Sequence, residues 1–444
     1  CNCPSLVNDQ NQEFIEIIRK LTIAESELEK KDIAAEFEAK KQKTFIYQAK
    51  PTSSCLVELD EEPPHPINQD ALKIAIQVSK LLNAKIIDKI QVMRKIVIDG
   101  SNVSGFQRTA LISRNGFVKT SQGKINISAI YLEEEAAKKI KETDTETVYS
   151  IDRLGIPLLE ISTSPELKTP EHVQEVASII GMVLRSTEKV KRGIGSIRQD
   201  VNISIENYPR VELKGFQDLR SMPKVIDIEI ERQLKEKNNF PHVRKVEPNF
   251  SSSFLRPMPG SSRMYPETDI PSIEITKSLL NSIEIPELIS DRAINFEKKY
   301  DLPPNYAIEI VKQNIPFDYF AEKYCLEPKL IANILLEIPK ELQSKFNTAP
   351  KKEHFEFIFD NLAKKKIHKE AILELLKELS LGNRPDLSKY QGITLEDLED
   401  FIKDLVNKNK GAPINGLMGD IMRKYKGSGD GSLARKLLKK YKKI

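Results

Sequence analysis

Three short runs of β-forming residues each carry a carboxylate: Glu160 in PLLEIS, Asp200 in RQDVNISI and Glu212 in RVELKGF. If these strands are neighbours, their polar faces converge on one cluster of two Glu, one Asp, a Lys and an Arg. Side chains alternate along a strand. Asp200, Asn202 and Ser204 therefore share one face, with Val201, Ile203 and Ile205 on the other. Glu212 and Lys214 project together, opposite Val211 and Leu213. The expectation is that Glu160, Asp200 and Glu212 lie on neighbouring strands and turn to one cavity. The same alternation also describes the solvated face of any antiparallel sheet, so the pattern alone leaves both readings open.

Other residues join as candidates. Gln107 and Arg108, in GFQRTALIS after the turn Asp99-Gly100-Ser101-Asn102, suit a nucleotide or phosphate; a hairpin with a polar edge reads the same. Glu133, Glu134 and Glu135 follow a strand over Ile125–Leu132 and are expected to open a helix, where acids favour the dipole. The functional alternative turns Glu133 or Glu134 inward as a metal ligand. Lys191, Arg192 and Arg198 flank Gly193 and Gly195 in a basic loop able to hold phosphate, although a P-loop's spacing is absent. Glu267 and Asp269 sit between Pro266 and Pro271, suiting a cation or a rigid surface turn. Cys1 and Cys3, with Cys55 and His65, are the candidate zinc ligands. Structural zinc takes four ligands, and this set is loosely spaced, so ordinary thiols remain the other reading.

The elements that must position these groups follow from composition and period. At 444 residues, 39% hydrophobic and 30% charged, the chain has room for two to four domains of a soluble globular protein. No apolar run reaches the roughly 18 residues of a membrane span. Four cysteines in so long a chain speak against a disulfide scaffold and for a reducing, cytoplasmic setting. The chain opens CNCPS without Met, so a processed or split chain, with a separate N-terminal piece, is expected. Amphipathic helices are expected near Asn11–Lys31 and over 69–83. Thr169 caps a third helix with Pro170 at its first turn, running to Ser186. Val225–Lys237 is a fourth, and Asn238–Ser262 reads as loop. Past Pro271 helical periodicity dominates.

The fold expected is α+β: a mixed or antiparallel sheet cradle over 1–271, an all-α domain over 272–383 and a small basic helical tail over 384–444. From Asn409 onward ten Lys and Arg face only Asp420 and Asp430, a net +8 where the whole chain is +4. A basic tail on a near-neutral body points to a polyanion such as nucleic acid; a solvated Lys-rich helix is the alternative.

DRLGIPLLEISTSPE, GSIRQDVNISI and VELKGFQDLR, in that order, resemble the signature blocks of the GatB/GatE family of tRNA-dependent amidotransferase subunits. IDGSNVSGFQRTALIS and FLRPMPGSSRMYPETDIP resemble its archaeal branch, the GatE proteins. The segment GAPINGLMGDIMRKYKGSGDGSLARKLLKK is similar to the family's tRNA-binding tail. Two departures are visible. The family's opening Gly-Leu-Glu-Ile-His strand, which contributes to its metal centre, is absent upstream of the CNC. The insertion resembling part of an aspartyl-tRNA synthetase is replaced by the short stretch Lys237–Phe254. Only Cys55 remains of the family's second zinc pair.

The resemblance implies a ligase: ATP phosphorylates the side-chain carboxylate of glutamate on tRNA(Gln), and ammonia from an asparaginase-like, ammonia-producing partner displaces the phosphate. It implies Mg²⁺ held by Glu133, Glu134, Glu160, Asp200 and Glu212, with Arg198 and Lys214 beside the catalytic carboxylates. ATP or substrate would meet Gln107, Arg108, Lys191, Arg192, Glu267 and Asp269. Arg423, Lys424, Lys426, Arg435, Lys436, Lys439 and Lys440 would grip tRNA. The competing class is a non-catalytic tRNA-binding protein that kept fold and tail. The joint presence of Glu160, Asp200 and Glu212 argues against it.

Overall fold

A computed structural model describes residues 13–20, 32–193, 195–216, 218–236, 240–260, 264–387, 395–409, 411–424 and 431–442. Two compact units, Cys1–Leu288 and Ile289–Ile444, divide the chain.

The first unit begins with β1 (Ile15–Lys20), α1 (Ile33–Ala39), β2 (Thr44–Ala49), α2 (Gln69–Leu81), β3 (Lys85–Ile86), β4 (Lys89–Ile90) and β5 (Val92–Ile96). It continues with β6 (Phe106–Thr120), β7 (Gly123–Glu134), β8 (Lys138–Glu142), β9 (Glu146–Ser150), β10 (Pro157–Thr163) and α3 (Pro170–Ser186). It ends with β11 (Val201–Ile203), β12 (Val211–Lys214), α4 (Met222–Lys235), β13 (His242–Val246), β14 (Ser252–Pro257), β15 (Met264–Pro266), β16 (Ile273–Glu274) and α5 (Lys277–Ser282). The central sheet runs β10-β7-β6-β5-β15, with β3 also on β6; a second runs β1-β2-β9-β8 and a third β11-β12-β13-β14. Among the described residues all pairings are antiparallel except β2–β9 and β12–β13.

Helix α2 fixes which face of the central sheet is buried. Asn68 caps it by accepting from the Ala71 N–H at 2.9 Å. Its Ala71, Leu72, Ala75 and Ile76 pack on Val92, Ala110, Ile112 and Leu132, the ordinary burial of an apolar helix stripe against one sheet face. Helix α3 is capped by Thr169, with Pro170 at its start. It also holds the β6–β7 hairpin tip, where the Ser121 N–H and hydroxyl donate to Glu175 at 2.6 and 2.7 Å. Helix α4 covers Val201, Ile203, Val211 and Leu213 with Met222, Val225 and Ile226, leaving the charged face of that sheet open.

The second unit is helical: α6 (Ile289–Tyr300), α7 (Pro304–Lys312), α8 (Phe317–Tyr324), α9 (Pro328–Phe346), α10 (Lys352–Ala363), α11 (Ile372–Ser380), α12 (Leu395–Lys408), α13 (Ile414–Lys424) and α14 (Gly431–Tyr441). The last three share a core of Leu398, Ile402, Leu417, Ile421, Ala434, Leu437 and Leu438. Among the described residues no helix is long and apolar enough to cross a membrane.

Four expectations change. Ile15–Lys20, expected within a helix, is a strand paired residue for residue with β2, which suits its β-branched isoleucines. Glu133 and Glu134 end strand β7, with Glu135 just beyond it, instead of opening a helix, and the Lys-rich run after them forms β8. Asn238–Ser262, expected as loop, holds β13 and β14, paired with each other. The sheet unit reaches Leu288, not 271. Strand β16 still pairs with β4, and Leu279, Leu280 and Ile283 pack on the α2 core.

Strand β15 sits at the rim of the central sheet, and one ion pair ties it down. Arg94 on β5 grips Glu267, just after β15, through two hydrogen bonds of 2.8 and 2.7 Å. Glu267 is 1% exposed. Burial alone would raise its carboxyl, but the hydrogen bonds and charge of Arg94 outweigh that and hold it below the ordinary carboxylate value. A depressed folded pKa stabilises at pH above the unfolded value and is lost as pH falls through the folded one. Glu267→Gln leaves Arg94 with only the exposed Asp269, 3.4 Å away, as counter-charge and is expected to cost about 3 kcal/mol at pH 7, with a shallower loss of stability in acid than wild type. Urea melts at neutral and acidic pH measure both; equal neutral stability would show that the pair contributes nothing.

Candidate active site

Alternation along β5, β6, β7 and β10 builds two polar surfaces at one end of the central sheet. Lys95 lies opposite Gln107, Thr109 opposite Glu133, and Glu133 opposite Leu158. One face therefore carries Lys95, Thr109, Glu133 and, diagonally, Glu160. Arg94 lies opposite Arg108, and Glu134 follows on the same side. This other face is the one that α2 covers further along.

On the first face Lys95 bridges two carboxylates. Its Nζ donates to Glu133 Oε1 and to Glu160 Oε2, the latter at 3.4 Å. The Thr109 hydroxyl donates to Glu133 at 3.1 Å. Burial pushes the Glu133 carboxyl up, the Glu160 charge adds to that, and Lys95 opposes both. Glu160 stays open, its side chain 47% exposed.

On the second face Arg108 reaches Glu267 at 3.2 Å and Glu134 at 3.4 Å. Asp269 lies 3.4 Å from Arg94. Burial raises the Glu134 carboxyl against the pull of Arg108. The Gln107 amide donates to the Glu134 carbonyl, so it is committed to the backbone of the neighbouring strand. Two adjoining clefts open here. The first is lined by His65, Asn68, Val92, Arg108, Ala110, Glu133, Glu134 and Ile270 among others. The second, smaller one is lined by Glu58, His65, Asn102, Ser104, Arg108, Glu134 and Gly155 among others.

Asp200 and Glu212 form a separate cluster on the third sheet. Lys214 Nζ sits 2.5 Å from Asp200 and 2.8 Å from Glu212. Burial would lower this ammonium, and the two carboxylates more than reverse it. Glu160 is thus not on a strand beside theirs: β10 belongs to the central sheet, β11 and β12 to the third. Arg198, expected near phosphate, pairs with Glu135 at the end of β7. Lys191 and Arg192 are exposed on the glycine loop before it. Among the described residues no three His, Cys, Asp or Glu gather to hold one metal ion, so the five expected carboxylates do not form a single cage. Cys55 is half-buried and in no disulfide; Cys1 and Cys3 lie outside the described residues.

In the tail, Arg423 has its side chain 84% exposed, 3.5 Å from Asp420. Lys424 lies over the Phe401 ring at 3.8 Å, Arg435 donates to Asn415 at 3.3 Å, and Lys440 meets Glu399 at 3.0 Å. Lys436 and Lys439 are exposed; Lys426 lies outside the described residues.

Sequence reading missed Arg94, Lys95 and Asn102. The signal was present: Arg94 and Lys95 are charges inside the β-run VMRKIV, the signature that singled out Glu160.

Residues 18–281 match the family described as GatB/GatE catalytic domain. The E-type subunit of the glutamyl-tRNA(Gln) amidotransferase of Methanosarcina barkeri is 34% identical over 578 aligned positions, covering 94% of this chain and 91% of that protein. Its counterpart in Methanocaldococcus jannaschii is 33% identical, with 94% and 92% covered. That of Archaeoglobus fulgidus is 32% identical, with 92% and 88% covered. An alignment of 578 positions exceeds this chain's 444 residues, so the relatives carry residues that this chain lacks. With its catalytic-domain signature and these relatives along almost its whole length, the chain belongs to the GatB/GatE family.

Proposed function

We propose that the protein is the kinase and amide-forming subunit of a tRNA-dependent amidotransferase, acting on glutamate esterified to tRNA(Gln) in the cytoplasm. Family membership supports the class. The observation that carries the reading is the pairing of two carboxylates, Glu133 and Glu160, on Lys95 at one end of the central sheet.

A carboxylate is a poor electrophile, so it is activated first. A side-chain oxygen of the glutamyl group attacks the γ-phosphorus of ATP, the bond to the β-bridging oxygen breaks, and ADP leaves with the electron pair. Ammonia then attacks the acyl carbon, the bond to the phosphate oxygen breaks, and phosphate departs. The nitrogen sheds a proton, leaving the amide of glutaminyl-tRNA. Glu134, whose raised carboxyl lines both clefts, is the proposed acceptor of that proton. Arg108 steadies anionic oxygens, and Lys214 and Arg198 serve phosphate at the third sheet. Mg²⁺ uses one or two protein carboxylates and takes the rest of its shell from phosphates and water. Glu133 with Glu160, and Asp200 with Glu212, fit that demand. When bound, the cation neutralises charge on the phosphates. The ammonia is proposed to come from an asparaginase-like partner protein.

Given Glu-tRNA(Gln), ATP, Mg²⁺ and ammonium, the protein is expected to release ADP and form Gln-tRNA. Asp200→Asn should lower turnover by about 10²-fold while tRNA affinity is kept, because a neutral amide is a poorer Mg²⁺ ligand. Undiminished turnover would sink the metal role.

The tail generates a second expectation. Arg423→Gln, Lys436→Gln and Lys439→Gln together remove exposed charge without touching the α12–α14 core. They should weaken tRNA binding and lower the log–log salt slope by about one for each phosphate no longer neutralised. Filter binding across salt concentrations measures this; an unchanged slope would show that these side chains meet no phosphate.

A further inference from the structure

We infer that the second cleft is the seat of the α-amino group of the aminoacyl ester, so that the enzyme reads the free amine of its substrate through Asn102. The identity of the substrate rests on the amidotransferase reading; the chemistry of the cleft does not.

Asn102 is 4% exposed and lines this cleft. Its Oδ1 is a buried acceptor with no hydrogen-bond donor among the described residues. Leaving such an atom unsatisfied costs about 1–3 kcal/mol, and buried polar atoms are otherwise almost always paired. A ligand N–H is the natural partner. The position is built, not incidental. The Tyr47 hydroxyl donates to the Gly100 carbonyl at 2.6 Å and the Tyr149 hydroxyl to the Asp99 carbonyl at 2.9 Å. The Gly105 N–H closes the turn on the Asn102 carbonyl at 3.0 Å. Two stacked tyrosines therefore fix the turn that presents this side chain.

The rest of the cleft agrees in sign. Glu58, 7% exposed, lines it with Glu134 and Asn102, so cations and N–H donors are favoured and phosphates are not. Gly155 stands beside Glu58 with φ +78°, and a Cβ added there would meet Glu58 Oε1 at 3.8 Å. A side chain at that position would be strained and would narrow the opening. Arg108 is shared with the first cleft. An acceptor-lined chamber beside a guanidinium is the complement of a glutamyl ester, which carries an ammonium and a carboxylate a few bonds apart. The nucleotide is left to the larger, apolar-floored first cleft.

The test compares Glu-tRNA with N-acetyl-Glu-tRNA, using ammonium as nitrogen source. Acetylation removes the positive charge and all but one N–H. For wild type it should lower kcat/KM and weaken equilibrium binding at least tenfold, about 1.4 kcal/mol. Asn102→Leu should bind the two tRNAs alike, whereas Asn102→Asp, which keeps the acceptor, should still prefer the free amine. Equal use of both tRNAs by wild type overturns the inference and leaves the amidotransferase reading standing. Preferential binding of the free amine with no Gln-tRNA formed does the reverse. The wild-type comparison needs no variant to fold.

Discussion

Everything at the site depends on the period-two alternation of the central sheet. Consecutive residues of β5 and β7 cannot share a face, so Arg94 and Lys95 part company, as do Glu133 and Glu134. The sheet becomes a partition, with a lysine-bridged carboxylate pair on one side and an arginine–carboxylate network on the other. Helix α2 covers the network's face only part-way along, and the polar end lies where its apolar stripe stops. A one-residue slip between β6 and β7 would exchange the two sets. The register shift between Leu111 and Ser113 falls where Ile112 and Ser113 are both fully buried, and Ser113 donates to Ser79 of α2 at 2.7 Å. Packing thus pins the register beside the site.

Like charges recur in pairs, each held by a lysine: Glu133 and Glu160 on Lys95, Asp200 and Glu212 on Lys214. Without those ammonium groups each pair would repel. The lysines hold the carboxylates close.

Local signals were legible in the sequence. Amphipathic spacing over 69–83 marked α2, and Thr169 with Pro170 marked the start of α3. The alternation around Glu212 put Lys214 on its face; that Lys214 bridges Glu212 to Asp200 came only with the structure. What could not be read was sheet membership. Whether β10 lies beside β11 is decided by pairings between distant residues, and no local period encodes them. Glu267 read as one acid of a proline-stiffened loop because its partner, Arg94, is 173 positions earlier. Asn102 read as a turn residue, which it is; its orphaned oxygen is a property of the surroundings that fold around it. The strand at Ile15–Lys20 was lost to its helix-like spacing until β2 supplied an edge.

The parallel pairing of β2 with β9 has a consequence for the order of events during synthesis. Residues 44–48 pair with 146–150, Lys43 meets Glu142 at 2.8 Å, and Ser53 donates to Asp152 at 3.2 Å. These contacts join points about a hundred residues apart. Closing such loops costs entropy before any contact repays it, and folds rich in long-range pairings form slowly. While the ribosome is still making the intervening hairpin, the inner edge of β2 waits with its backbone unsatisfied. The turn over Asp99–Asn102 lacks Tyr149, and Arg94 lacks Glu267. The catalytic surface therefore cannot mature piecemeal as the chain emerges. It comes into being late, in one cooperative closure, and until then the nascent chain is an open sheet edge in need of shelter.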